Sequence, residues 1–197
     1  MNYLAHAYLS FGYPEIIIGN LISDFVKGRK KYDYPEGIQK GITLHREIDS
    51  FTDTHIATQK AKEIFRPAYR LYCGAFTDVA YDHFLARDVT AFTDESLSRF
   101  SQDVYLTVDR YAEWLPENFA RIFPHMKSHN WLYNYRTIEG IRKSFGGLVR
   151  RSKYLTESET AGILLERNYD FLQDCYTELM TEIKPFMKQR VEDLLAS

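Results

Sequence analysis

The stretch that most constrains the fold is residues 41–55, GITLHREIDSFTDTH, because it places ionisable side chains on an apolar helix face. Ile38, Ile42, His45 and Asp49 follow the i, i+4, i+7, i+11 spacing of one face of a helix. A face that begins with two isoleucines packs on a core, so His45 and Asp49 should also point inward. Burying a carboxylate is costly unless it is paired or bound to a metal. The pattern therefore predicts a polar site in the interior.

Two further predicted helices also carry aspartates within an apolar face. One is predicted to begin at Pro67, and its face continues with Leu71, Ala75, Asp78, Asp82 and Leu85. The other is predicted over residues 15–27, where Asp24 shares a face with Ile17 and Leu21. Carboxylates gathered from three helices repel one another, and a divalent cation is the usual remedy. We therefore expect a metal site where the three faces meet.

The whole chain, residues 1–197, is predicted to form one all-α domain of seven to nine helices. Its hydrophobic content of 45 % and charged content of 26 % are ordinary for a globular protein, and no segment alternates with the period of a β-strand. A net charge of −2 argues against a general nucleic-acid-binding protein. No apolar run approaches the roughly 20 residues that cross a membrane, and no signal peptide is evident. These features favour a cytoplasmic protein.

Several other side chains have both a structural and a functional interpretation. His6, in the apolar segment NYLAHAYLS, is either a core histidine bonded to the backbone or a ligand or proton carrier. Arg46 either lies at the rim of the pocket and binds phosphate or forms a surface ion pair. Two basic clusters either complement helix ends or receive an acidic partner; they contain Lys27, Arg29 and Lys30, and Arg142, Arg150 and Arg151.

Oxygen-rich ligands with one or two imidazoles suit Mn²⁺, Mg²⁺ or Fe²⁺ better than a structural Zn²⁺, which would draw on cysteine. The helical di-iron class requires Glu-x-x-His pairs, and the sequence has none. A divalent ion held by aspartate and histidine is suited to the hydrolysis of phosphoesters, because it polarises the phosphoryl group and acidifies a bound water. Phosphoester hydrolysis is therefore the predicted chemistry.

Four ordered blocks closely resemble the acyl carrier protein phosphodiesterase family: NYLAHAYLS, GNLISDFVKG, GITLHREIDSFTDTH and DVAYDHFLARD. The resemblance is strongest over residues 1–90 and continues through most of the chain. It implies hydrolysis of the phosphodiester that joins 4′-phosphopantetheine to a serine of holo-acyl carrier protein, with a divalent cation and Mn²⁺ favoured. It also implies a helical fold like that of the HD phosphohydrolases, although only the reversed dipeptide Asp82-His83 occurs here.

The resemblance also implies roles for residues in these blocks. Five residues are expected to form the metal site: Asp24, His45, Asp49, Asp78 and Asp82. Three are expected to assist catalysis: His6, Arg46 and His83. Holo-acyl carrier protein is the expected partner, since it is small and acidic and the two basic clusters could receive it.

Two rival functions remain open on the sequence. One is an HD-type phosphohydrolase that acts on a nucleotide or another small phosphoester. The other is a module of the same fold that binds a carrier protein without performing chemistry. Turnover of nucleotides without a carrier protein would favour the first, and absence of metal binding would favour the second.

Overall fold

The structure, a computed structural model, describes residues 1–196 and confirms the all-α prediction, since these residues contain no β-strand. Four short 3₁₀ segments join some of the helices. The α-helices exceed the expected number of seven to nine and are, in chain order, α1 (Tyr3–Tyr8), α2 (Pro14–Ile22), α3 (Glu36–Thr54), α4 (Ile56–Tyr69), α5 (Cys73–Arg87), α6 (Asp94–Arg110), α7 (Glu117–Ser128), α8 (Trp131–Asn134), α9 (Ile138–Arg151), α10 (Glu159–Arg167) and α11 (Tyr169–Ala196).

One hydrophobic core draws on nearly all of these helices, and α5 lies at its centre. Helix α5 is buried on every side, which is expected of a helix surrounded by other helices. The rings of Phe65 in α4, Phe76 in α5 and Phe145 in α9 pack together, with the Phe76 and Phe145 centroids 5.2 Å apart. No helix among residues 1–196 is both long and apolar enough to cross a membrane.

The tightest helix packing is the crossing of α2 and α3, where two glycines face each other's backbone. A Cβ atom on Gly19 would lie 2.1 Å from the carbonyl oxygen of Ile38, and one on Gly41 would lie 2.4 Å from that of Ile16. Side chains at these positions would push the helices apart. The crossing holds α2, which carries Asn20, directly against His45 of α3.

Several predicted helix boundaries were wrong. Helix α4 continues through Pro67 to Tyr69, so α5 begins only at Cys73, after a 3₁₀ turn. Helix α2 ends at Ile22, which places Asp24 in a 3₁₀ turn (Ser23–Phe25) rather than on a helix face. Helix α10 ends at Arg167, and α11 then runs through Pro185 without ending. The predicted helix start at Pro67 was wrong because tertiary packing overrides local preference.

Candidate metal centre

Two histidines and one aspartate converge between α1 and α3. His6, His45 and Asp49 each offer a ligand atom, and these three atoms lie within 4.8 Å of one another. Asp49 bridges the two imidazoles: its Oδ1 is 3.2 Å from His6 Nε2, and its Oδ2 is 3.1 Å from His45 Nε2. The two rings stack with centroids 4.0 Å apart. This is the only group of at least three such residues among residues 1–196 that is compact enough to share an ion.

Asn20 sets the orientation of both imidazoles. Its side-chain Nδ2 donates to the His6 carbonyl at 2.8 Å and to Ser10 Oγ at 3.0 Å, so its Oδ1 must face His6 Nδ1, at 2.7 Å. Its backbone carbonyl faces His45 Nδ1, also at 2.7 Å. Both Nδ1 atoms must therefore carry a hydrogen, because both partners are acceptors. In the neutral rings, the two Nε2 lone pairs then face Asp49.

This arrangement is unfavourable for a neutral His6 unless a cation lies nearby. His6 Nε2 faces two acceptors, the Met1 carbonyl and Asp49 Oδ1, both at 3.2 Å. Burial and the neighbouring His45 lower the pKa of His6 to about 4, so a proton does not relieve the conflict at neutral pH. A divalent cation would accept the lone pair and neutralise the carboxylate together. The donor set therefore fits a metal ion, with Asn20 as the outer partner that orients both histidine ligands.

His45 carries the positive charge of the cluster in the absence of a metal. Burial would lower its pKa, but hydrogen bonds to Asp24 and Asp49 outweigh burial and raise the pKa of His45 to about 9. Burial favours the neutral form of Asp49, yet its hydrogen bonds to His45 and His6 lower the pKa of its carboxyl well below the usual range. A metal ion would replace the proton on His45 Nε2, which is the expected competition between metal and protons at such a site.

Asp24 and Asp78 lie beside the cluster and line a small cavity of about 310 Å³. Asp24 Oδ1 is 3.2 Å from His45 Nε2, and its side chain is 75 % exposed. Asp78 Oδ1 is 3.0 Å from the α-amino group of Met1, which lies 3.7 Å from Asp49 Oδ1. Asp24 thus contacts the cluster directly, whereas Asp78 contacts it through the Met1 amino group.

Asp82 differs from the sequence-based expectation of a metal ligand. Its side chain is fully buried, and its two oxygens accept hydrogen bonds from the backbone N–H groups of Leu4 at 2.8 Å and Ala5 at 3.1 Å. These N–H groups lie in the first turn of α1 and have no partner within the helix. Burial raises the pKa of Asp82 to about 7. Asp82 therefore holds α1, which carries His6, rather than joining the cluster.

His83 also lies outside the cluster, contrary to its expected catalytic role. Its Nδ1 donates to the Tyr135 carbonyl at 2.7 Å, and its Nε2 is 2.9 Å from the Tyr169 hydroxyl. The side chain is fully buried, and burial lowers its pKa to about 4. Both ring nitrogens thus contact residues distant in the chain, Tyr135 after α8 and Tyr169 in α11. Next to Asp82 on α5, His83 points to a different part of the core, and its catalytic role stays a prediction.

The guanidinium of Arg46 does not line the cavity beside the cluster. Its Nη2 donates to the Val26 carbonyl at 3.2 Å, and the residue is exposed. In this conformation Arg46 ties α3 to the loop after Asp24, and its contact with phosphate stays a prediction. The predicted basic cluster Lys27, Arg29 and Lys30 is exposed on the adjoining turn.

Asn20 is the residue of the site that the sequence analysis missed. It is fully buried, and it contacts both histidines. In the sequence, Asn20 is the single amide inside the apolar run IIIGNLI, where every neighbour is aliphatic or glycine. A buried amide needs hydrogen-bond partners, so this position could have been recognised as a polar contact in the interior.

Replacing His83 by glutamine should remove part of the pH dependence of stability without affecting the metal cluster. Because the folded pKa of about 4 lies below the unfolded value near 6.5, the unfolded state binds protons first. The stability contributed by His83 is therefore present above pH 6.5 and is lost as the pH falls towards 4. Between pH 7.5 and 4.5, wild type should lose about 2 kcal/mol more than His83→Gln in urea unfolding. Equal losses would contradict this assignment.

Known proteins resemble the chain along almost all of its length. The family model described as "Acyl carrier protein phosphodiesterase" matches residues 1–183. A relative of that name from Enterobacter sp. (strain 638) is 31 % identical over 189 residues, covering 93 % of this chain and 98 % of its own. One from Salmonella newport (strain SL254) is 31 % identical over 175 residues, covering 88 % and 91 %. No solved structure matches. The chain therefore belongs to the acyl carrier protein phosphodiesterase family.

Proposed function

We propose that the protein hydrolyses the phosphodiester that joins 4′-phosphopantetheine to a serine of holo-acyl carrier protein. The products are apo-acyl carrier protein and free 4′-phosphopantetheine. Family membership supports this activity. The structural observation that supports it most strongly is the His6–His45–Asp49 cluster, which lies beside a cavity lined by two further carboxylates.

His6, His45 and Asp49 are the proposed ligands of a divalent cation, with Mn²⁺ favoured and Mg²⁺ or Fe²⁺ as alternatives. Such an ion, when bound, polarises the phosphoryl group and acidifies a bound water. His6 was expected to carry protons, but the contact of its Nε2 with Asp49 favours a ligand role instead. Asp24 and Asp78 are proposed to complete the polar wall around the reacting phosphate, and Asn20 holds both imidazoles in the required tautomer.

The carrier protein is proposed to approach along α9. Arg142 and Arg150 are exposed on this helix, and an acidic partner would be attracted to them. The exposed turn after α2 stays a second predicted contact of the carrier protein; it contains Lys27, Arg29 and Lys30. Likeness to the HD phosphohydrolases and a cytoplasmic location likewise stay predictions.

The direct test is to incubate the protein with holo-acyl carrier protein and Mn²⁺ and to follow the mass of the carrier. We expect the carrier to lose its prosthetic group, and the loss to stop when a chelator removes the metal. Apo-carrier, which has no phosphodiester, serves as the control and should be unchanged. Hydrolysis of nucleotides with intact holo-carrier would support a small-phosphoester hydrolase instead, and binding of holo-carrier without turnover would support a non-catalytic module.

A further inference from the structure

A large groove runs along α9 and joins the small cavity beside the metal cluster. Its volume is about 1330 Å³, above the roughly 300–1,000 Å³ of ordinary ligand pockets. It lies between α9 and the segment that contains α7 and α8. Three residues line both the groove and the small cavity: Asn2, Tyr3 and Arg151. The two spaces therefore meet at these residues, within reach of Asp24 and Asp78.

One wall of the groove is a pair of glycines inside helix α9. A Cβ atom on Gly147 would meet only the flexible Arg150 guanidinium, at 3.7 Å, and one on Gly146 would meet nothing closer than 3.4 Å. On Gly140 in the same helix, by contrast, a Cβ atom would lie 2.0 Å from the Asn134 carbonyl. Packing thus requires glycine at 140 but not at 146 or 147. Each interior glycine costs a helix about 0.5–1 kcal/mol, and at 146 and 147 no packing contact offsets this cost.

The opposite side of the groove offers a hydrogen-bond acceptor without a partner. Asn130 lines the groove, and its buried Oδ1 accepts no hydrogen bond from any residue in 1–196. Asn130 also has a left-handed backbone conformation, with φ of 45°. An unpaired buried acceptor costs about 1–3 kcal/mol. A bound chain that carries amide N–H groups would supply the missing donor.

The cations of the groove are not equivalent. Arg121, Arg142 and Lys143 form ion pairs with Glu117, Glu166 and Glu139, respectively. Among the described residues, Arg150 and Arg151 have no carboxylate within ion-pair distance. Only Arg151 lines the small cavity as well, beside Tyr3. Arg151 therefore presents a planar, unpaired cation at the entrance to the metal cluster.

We propose that the groove holds the extended pantetheine arm of the substrate and that Arg151, beside Tyr3, binds the phosphate at the junction of the two cavities. This proposal rests on the proposed function and adds the substrate orientation to it. Arginine matches phosphate oxygens with two parallel hydrogen bonds, which fits its place beside the reacting group. The pantetheine arm is neutral and carries two amides. It fits a groove in which three of the five arginine and lysine side chains already form ion pairs with glutamates.

A binding experiment separates the phosphate contact from the arm contact. Full-length protein, treated with a chelator, is titrated calorimetrically with 4′-phosphopantetheine and with pantetheine, which lacks the phosphate. Wild type should bind the phosphorylated ligand at least about tenfold more tightly, and Arg151→Ala should abolish that preference while binding pantetheine unchanged. Arg150→Ala is the matched control, because Arg150 lines the groove but not the small cavity, and it should keep the preference.

The arm contact is tested by filling the groove. Gly147→Phe should weaken both ligands at least about tenfold with little change in melting temperature, and Gly147→Leu is the substitute if the larger side chain prevents folding. Three results would each overturn the proposal. They are an unchanged preference of Arg151→Ala for the phosphorylated ligand, unchanged binding by the variant with the filled groove, and no binding by wild type. Ligand binding is measured without turnover, so its failure is distinct from a failure to hydrolyse holo-carrier, which would overturn the proposed function alone.

Discussion

His45→Gln should lose at least about 100-fold in the rate of holo-carrier hydrolysis at subsaturating Mn²⁺. Loss of an outer partner of a metal ligand already costs 10–100-fold, and this substitution removes a proposed ligand itself. Glutamine retains a polar group near the Asn20 carbonyl but lacks the Nε2 lone pair that faces Asp49. The measurement is the initial rate of prosthetic-group release across a Mn²⁺ titration.

A thermal measurement distinguishes a loss of metal binding from a general loss of stability. Mn²⁺ at 100 times its dissociation constant should stabilise wild type by about 2.7 kcal/mol, which raises its melting temperature, whereas His45→Gln should show no such rise. The matched control is His83→Gln, the same substitution at another buried histidine, and it should keep the Mn²⁺ response despite lower stability. A full Mn²⁺ response in His45→Gln, or none in wild type, would contradict the proposed centre.

The sequence predicted the helical fold and the placement of His45 and Asp49 on one helix face, because both follow from the periodicity of a helix. The i, i+4, i+7 spacing placed His45 on the same buried face as Ile38 and Ile42, and the structure shows all three buried. Asp49, one turn later, is still 40 % exposed, so it lies at the edge of the core rather than within it. The spacing along a helix predicts which way a side chain points, but it does not predict where the hydrophobic core ends.

The rest of the site depends on contacts between helices, which spacing along one helix does not contain. Asp82 shares the predicted face with Asp78, yet its oxygens bind the first turn of α1, some 78 positions away in the chain. The family resemblance implied a catalytic role for His83, which follows Asp82, but one residue along a helix turns the side chain by about 100°. The groove formed by α7, α8 and α9 likewise appears only after the helices pack.

Gly19→Ala should be strongly destabilising, because it forces apart the crossing on which the metal cluster depends. The added Cβ would lie 2.1 Å from the Ile38 carbonyl oxygen and 2.7 Å from the Ile42 nitrogen, both rigid backbone atoms of α3. Overpacking typically costs 1–3 kcal/mol, and contact with several backbone atoms of α3 should place this variant at or above about 3 kcal/mol. Urea unfolding in chelator measures the loss.

The same substitution should also weaken metal binding, because Asn20 follows Gly19 directly and orients both histidines. Separating α2 from α3 would lengthen the 2.7 Å contact between the Asn20 carbonyl and His45 Nδ1. The rise in melting temperature on adding Mn²⁺ should therefore be smaller than in wild type. Gly74→Ala is the matched control: its Cβ would meet only the flexible Lys62 side chain, at 3.4 Å, so stability should be unchanged or higher by up to about 1 kcal/mol. If Gly19→Ala matched that control in both measurements, the α2–α3 crossing would not be what holds the two histidines in place.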